Sequence, residues 1–145
     1  MKWITREHAK VDRIACPWLI KKFIDETAVF EYWPADTDWP ALTQALGKNG
    51  YVYDVPKCVM GHHGNECSFD ALMKNFNLKD PALVHLAKIV RAADTGNKDW
   101  AAEGYGLEAI ADGFRRIASS DFHNQTLQFP VYDALYAHCK FLSEK

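Results

Sequence analysis

Short apolar runs alternate with amphipathic stretches along the first half of the chain. Residues 2–5, 28–32 and 51–55 are rich in β-branched and aromatic side chains and predict three strands. Residues 14–25 and 39–46, which lie between these runs, carry apolar side chains at helical spacing. Strands that are separated by helices form βαβ units with right-handed crossovers. The pattern therefore predicts a small three-stranded parallel sheet with βαβαβ connectivity.

The second half of the chain has the pattern of helices. Polar caps and prolines mark four expected helix starts, at Ser68, Pro81, Glu103 and Pro130. We expect an α/β fold in which the βαβαβ half packs with this helical half as a single domain over residues 1–145.

Composition and charge narrow the range of partners. The 17 basic and 19 acidic residues are well mixed and give a formal net charge of -2, so we expect no nucleic-acid partner for this chain alone. No apolar run reaches the roughly 18 residues of a transmembrane helix, and the N-terminus lacks the features of a signal peptide. We expect a cytoplasmic protein without a membrane partner, and the sequence leaves a homo-oligomer open.

Side chains that can bind a metal are concentrated in residues 51–70. This segment follows the third predicted strand and contains His62, His63 and Glu66, with Cys67 next to them. Imidazole, carboxylate and thiol groups are the donors that zinc and iron take. We predict a zinc or iron site with His62 as the principal ligand and Glu66 as a second one. An oxyanion site that uses His62, His63 and Arg13, or a purely structural loop, are the alternatives.

Two carboxylates are expected to point inward from helix ends. Asp94 continues the apolar stripe of its helix, four residues after Val90, and there it needs a cation, a metal or a hydrogen-bond donor as partner. Glu103 starts a helix whose apolar positions include Ile110 and Ile117, which we expect to be buried. We predict Asp94 as a metal ligand and Glu103 as a catalytic carboxylate, although capping or an arginine partner would satisfy either residue.

Cys16 is a candidate nucleophile. Pro17 is expected within the first three helical positions, which would put Cys16 at or near the N-cap, where the helix dipole and Arg13 lower the pKa of a thiol. A small buried core residue is the alternative for Cys16. A thiol redox function would use Cys16 with Cys67 as its partner.

Four segments of the sequence resemble the ChrB-type chromate-resistance domain, and together they cover nearly the whole chain. These segments are residues 11–20 with 23–25, 61–70, 80–83 and 89–94. The resemblance implies a role near the chromate response, in which this domain is typically the C-terminal half of a chromate-sensing regulator. It marks as site positions Asp12, Arg13, Cys16, His62, Cys67, Asp70, Asp94 and Glu103.

Three functions are consistent with these features. The first is a cytosolic, chromate-resistance-related domain with a His/carboxylate metal site, which leaves open whether it is a metal-dependent enzyme. The second is a sensor module for chromate or a similar small oxyanion, and the third is the thiol redox protein. Because the sequence shows no DNA-binding half, we expect no gene-regulatory role for this chain by itself. We expect a small oxyanion or small-molecule ligand. The residues expected to bind this ligand are Asp12, Arg13, His63, Cys67 and Asp70, together with His123 from a polar loop.

Overall fold

The computed structural model describes residues 1–145, except for the side chain of Lys98. Three parallel strands form one sheet, β1 (Lys2–Arg6), β2 (Val29–Trp33) and β3 (Gly50–Val52). The strand order is β2-β1-β3, and the two outer strands both pair with β1. The predicted α/β fold with a three-stranded parallel sheet is confirmed.

Helices connect the strands and form the second half of the chain. Their bounds are α1 (Asp12–Leu19), which continues into a π-helical turn (Ile20–Ile24), α2 (Trp39–Leu46), α3 (Ser68–Asn75), α4 (Pro81–Asp94), a short 3-10 helix (Lys98–Trp100), α5 (Glu103–Ile117) and α6 (Asp121–Ser143). Within the described residues, no helix has the length and hydropathy needed to cross a bilayer.

The main core lies between the sheet and the helices. The Trp3 side chain on β1 is buried and stacks on Tyr51 of β3 with a distance of 4.5 Å between the ring centroids. Helix α6 packs against both α1 and α4. Buried side chains of α1, α3 and α4 join the same cluster, so the two halves of the chain share one core.

Helix α1 starts earlier than predicted. It begins at Asp12, so Pro17 lies inside the helix and Cys16 is a buried interior residue; the predicted N-cap position of Cys16 is wrong. Proline inside a helix leaves the carbonyl four residues before it without an amide donor. Here that carbonyl belongs to Arg13, and the Tyr32 hydroxyl donates to it at 3.1 Å. A partner from β2 therefore satisfies the carbonyl that the proline leaves free.

Helix α6 also starts earlier than predicted. It begins at Asp121, with Ser120 as its N-cap, and Pro130 lies in its interior instead of at its start. His123 is consequently in the first helical turn and not in a loop. The buried face of the first half of α6 is polar, since it includes Asn124, Gln125 and Gln128. A helix whose buried face is polar lacks the apolar stripe that predicts a helix.

The end of β3 and the buried face of α5 also differ from the prediction. Strand β3 ends at Val52 because Asp54 adopts a positive φ of 50°, which turns the chain out of the sheet. On α5, Leu107 is buried, but Ile110 and Ile117 are 44% and 70% exposed. The prediction that these two isoleucines face the core is wrong.

Candidate functional site

The candidate site lies beyond the carboxyl ends of β1 and β3, where parallel sheets commonly bind ligands. Asp12 is the first residue of α1, which follows β1. Asp54 lies two residues beyond β3, and His62 belongs to the loop that leads from β3 to α3. Asp94 is the last residue of α4. Four residues from three segments, the start of α1, the connection from β3 to α3 and the end of α4, therefore contribute to one cluster.

The imidazole of His62 is at the centre of this cluster. Its Nε2 atom lies 3.0 Å from Oδ2 of Asp94, 3.2 Å from Oδ1 of Asp54 and 3.4 Å from Oδ2 of Asp12. The three carboxylates are mostly or wholly buried, whereas the His62 side chain is 44% exposed. Among these four side chains, that of His62 is the most exposed, so solvent reaches the cluster from the His62 side.

Asp12 is held by the start of helix α3. Its Oδ2 accepts a hydrogen bond from the backbone N–H of Ser68 at 2.7 Å, and its Oδ1 accepts from the N–H of Phe69 at 3.2 Å. The first N–H groups of a helix have no partner within the helix and carry its positive dipole end. The Cys16 thiol also donates to Oδ1, at 3.2 Å. Helices α1 and α3 therefore together fix the orientation of this buried carboxylate relative to His62.

Asp54 and Asp94 are fixed by different partners. The Ser68 hydroxyl donates to Oδ1 of Asp54 at 2.7 Å, and Nε of Arg13 lies 3.4 Å from its Oδ2. Oδ1 of Asp94 accepts a hydrogen bond from the backbone N–H of Asp12 at 3.3 Å. Asp94 thus has the donor partner that a carboxylate at a helix C-terminus requires.

The concentration of negative charge shifts the ionisation of the cluster. Burial raises the pKa of Asp12 from 3.8 to about 7, and the neighbouring carboxylates of Asp54 and Asp94 act in the same direction. Hydrogen bonds with Asp12, Asp54 and Asp94 raise the pKa of His62 from 6.5 to about 12. The cluster therefore favours a bound positive charge, either a proton on His62 or a cation beside it.

The arrangement has the donors and the spacing of a metal site. Among the described residues, Asp12, His62 and Asp94 each offer one ligand atom, and these atoms lie within 4.8 Å of one another. Two ligand atoms that are each about 2.1 Å from a tetrahedral zinc ion are roughly 3.4 Å apart. The distances from His62 to the three carboxylates, 3.0 to 3.4 Å, are close to this value. One imidazole with carboxylate oxygens is a donor set for zinc or iron.

The structure does not bring all predicted site residues to this cluster. Glu66 forms a salt bridge with Lys74 and is absent from the group of metal-capable residues around His62. Glu103, the first residue of α5, is likewise outside that group. Nε2 of the exposed His63 is bonded to the carbonyl of Val59 at 2.7 Å, and Nδ1 of His123 accepts from the backbone N–H of Ser119. The roles predicted for these four residues gain no support from their positions.

The cysteines near the cluster are buried. Burial raises the pKa of both the Cys16 and Cys67 thiols well above the ordinary value, and the nearby Asp12 carboxylate adds to this effect. The lowered pKa that the sequence predicted for Cys16 is therefore wrong, because the thiol lies inside α1 among carboxylates. Cys67 is the N-cap of α3 in place of the predicted Ser68, and its backbone N–H donates to Asp70 at 3.0 Å.

Asp70 and Arg13 take structural partners close to the cluster. The Asp70 carboxylate forms a two-pronged ion pair with Arg91, with distances of 3.2 Å to both Nε and Nη2 of the guanidinium. Arg13 contacts Asp54 through Nε and donates through Nη1 to the carbonyl of Glu7 at 3.3 Å. Of the two residues, Arg13 is the one that adjoins the carboxylates around His62.

Asp54 and Ser68 are members of the cluster that the sequence analysis did not single out as site residues. A detectable signal existed for Asp54, since a carboxylate follows the β-branched and aromatic run of the third strand and precedes Pro56. The carboxyl ends of parallel strands are common ligand positions. Ser68 carried the signal of a helix start, but its hydroxyl bonds to Asp54 and does not cap the helix.

Comparisons with known proteins agree with the resemblance seen in the sequence. The family described as "ChrB, C-terminal domain" matches residues 3–139. Protein ChrB of Cupriavidus metallidurans is 35% identical over 139 residues, which are 94% of this chain and 40% of that protein. The chain thus spans less than half the length of this relative. No solved structure matches the chain. The match over residues 3–139 shows that the chain belongs to the ChrB C-terminal domain family.

Proposed function

We propose that this domain binds one divalent metal ion through Asp12, His62 and Asp94 and acts in chromate resistance. The observation that supports the metal most directly is the charge of the cluster. Three carboxylates surround one imidazole, and Arg13 offsets only one of their negative charges. The raised pKa values of His62 and Asp12 indicate that protons offset the two that remain in the metal-free protein, and a divalent cation would replace these protons.

Asp54 is the residue best placed to support the proposed ligands. Its Oδ1 atom lies 3.2 Å from Nε2 of His62, the same nitrogen that Asp12 and Asp94 face, so it can approach the same ion. The Ser68 hydroxyl and Arg13 hold it in place from the other side. The donor set favours zinc or iron, because imidazole suits both ions and carboxylate oxygens complete their coordination.

Elemental analysis tests the metal site. Protein purified without chelators and dialysed against zinc or, under anaerobic conditions, iron(II) is expected to hold about one ion per chain. His62→Ala and Asp94→Ala should each lose the ion. His63→Ala and Glu66→Ala are the matched controls and should keep it, because their side chains contact Val59 and Lys74 instead. Equal metal contents in all four variants would refute the proposed ligand set.

We propose a small oxyanion of the chromate type as the ligand of the metal-loaded site. The support is the family resemblance together with the exposed side of His62, through which a small ion can approach. The carboxylates themselves repel an anion, so the metal must supply the attraction, as a Lewis acid for an oxyanion oxygen when it is bound. Isothermal titration with chromate is expected to show binding to zinc-loaded protein, in which the metal cannot be oxidised, and none to chelator-treated protein. Equal binding to both forms would contradict the proposed role of the metal.

A further inference from the structure

The outer face of α5 carries an alternating stripe of glycine and isoleucine. The stripe consists of four residues at intervals of four, three and four, Gly106, Ile110, Gly113 and Ile117. This spacing places them on one side of the helix. All four are exposed, and Ile110 and Ile117 are 44% and 70% accessible to solvent. The core-facing residues Leu107 and Ala111 lie on a different side of α5, so the stripe does not contribute to the core.

The isolated domain gives no structural reason for these glycines. Neither Gly106 nor Gly113 has a positive φ, and a Cβ atom built at either position would meet nothing within 4 Å. Glycine is the least favourable helical residue after proline, and β-branched isoleucine is less favourable than alanine or leucine. A glycine that lowers the stability of a helix in this way commonly marks the close approach of another backbone or side chain.

We propose that the stripe is the contact surface of a homodimer in which two α5 helices pack antiparallel. The sequence of the stripe is complementary to itself when it is reversed. A two-fold axis between Ala111 and Asp112 places Ile110 of each copy over Gly113 of the other, and Ile117 over Gly106. Every isoleucine then fills the gap that a glycine leaves, which is the self-complementarity that a two-fold interface requires. A helix of unrelated sequence would need this alternation by chance, so a second copy is the partner that the pattern specifies.

The border of the stripe is polar, as at the rim of an interface. Asp112 and Arg116 flank it on one side and form an ion pair within the helix, with 2.9 Å between Oδ2 and Nε. The stripe is roughly 17 Å long at 1.5 Å per residue. Such a contact by itself falls below the roughly 800 Å² per partner of a standard stable interface. We therefore expect a dimer that dissociates at micromolar concentrations.

Sedimentation equilibrium over a range of protein concentrations tests the dimer. The native chain should pass from monomer to dimer in the micromolar range. Ile110→Glu and Ile117→Glu should each weaken association by about tenfold or more, because a charge would be buried against the second helix. Val84→Glu is the matched control, since Val84 is a helical side chain that is 55% exposed on α4, and it should leave association unchanged. A native chain that stays monomeric at all concentrations overturns the proposal, as does equal association of all four proteins.

Two further measurements separate this interface from a less specific apolar contact. Gly113→Ala should raise the melting temperature of the dilute monomer, through its better helix propensity, and weaken the dimer, through the added methyl group. In a Cys58→Ser background, a mixture of Ile110→Cys and Gly113→Cys proteins should form an interchain disulfide faster than either protein alone. Circular dichroism confirms that each variant is folded. Crosslinking that is equally fast in the separate proteins overturns the proposed register.

Discussion

The carboxylate of Asp12 accepts a hydrogen bond from the backbone N–H of Ser68 at 2.7 Å, which joins the first residue of α1 to the first residue of α3. The same oxygen lies 3.4 Å from Nε2 of His62. The N-terminus of α3 therefore offsets part of the cost of burying Asp12 and directs the carboxylate toward the imidazole. In this way the packing of two helices sets the geometry of the candidate metal centre.

Replacing Asp12 should destabilise the fold as well as the site. Asp12→Ala leaves the N–H groups of Ser68 and Phe69 without their acceptor, so we expect a loss of about 2–4 kcal/mol in the free energy of unfolding. Asp12→Asn retains an acceptor oxygen and should cost less. Urea unfolding followed by circular dichroism measures both. Asp112→Asn, on an exposed carboxylate, is the control and should have no measurable effect. An Asp12→Ala protein as stable as the control would contradict this account.

Arg13 is expected to contribute more to the free energy of unfolding when no metal is bound. Arg13→Gln leaves the buried Asp54 without its guanidinium partner, and loss of one member of a buried pair costs about 3 kcal/mol. If a divalent cation offsets the same carboxylates, saturating zinc should reduce this loss. Urea unfolding with zinc and with chelator gives the comparison, with Arg116→Gln as an exposed control. A loss that is equal in both conditions would argue against a cation near Asp54.

Asp94 and His62 are the two residues around the candidate metal centre that the sequence predicted as metal ligands. Asp94 was predictable because a carboxylate on an apolar helical stripe must find a partner. His62 was predictable because it follows the third predicted strand among other side chains that can bind a metal. The parallel sheet was equally predictable from its β-branched runs. The carboxyl ends of parallel strands lie at one edge of a sheet, so the loops after β1 and β3 meet there, which is where Asp12 and His62 lie.

The starts of α1 and α6 were predicted wrongly because hydrogen-bond partners from other elements of the fold stabilise residues that local sequence rules exclude from a helix interior. Pro17 predicted a helix start, but the Tyr32 hydroxyl from β2 satisfies the carbonyl that this proline leaves free. The first half of α6 has no apolar stripe because Asn124 and Gln128 are buried and hydrogen-bonded, the first of them to the carbonyl of Ala9. Such partners lie about a hundred residues away or come from another element, and spacing within a window cannot reveal them.

The stability of the metal-free protein should fall as pH rises from about 5 to about 7. Asp12 has a folded-state pKa of about 7 against an ordinary value of 3.8, so in this range the folded state binds more protons than the unfolded state. His62, raised from 6.5 to about 12, extends the same trend to higher pH. The lowered pKa values of Asp25 and Glu31 act in the opposite direction but at more acidic pH.

The Asp12→Asn variant isolates this effect. Its free energy of unfolding, measured with urea in the presence of chelator, should depend less on pH between 5 and 7 than that of the native chain. Zinc should reverse the native trend, because protons compete with the metal for Asp12 and His62, so that affinity rises with pH. An unchanged pH dependence in Asp12→Asn would show that another group titrates in this range.

Thiol reactivity distinguishes the metal site from thiol redox chemistry. Burial raises the pKa of Cys16 and Cys67 well above the ordinary thiol value, so few thiolates are present at neutral pH. Cys58 is only half-buried and its pKa is raised less, so we expect an aromatic disulfide reagent to modify it first in the native protein. Cys16 and Cys67 should react at the rate of global or local unfolding, and Cys58→Ser should remove the fast phase. A fast phase that survives in Cys58→Ser and is lost in Cys16→Ser would instead identify Cys16 as a reactive thiol, because only a thiolate in rapid contact with solvent can attack the reagent at that rate.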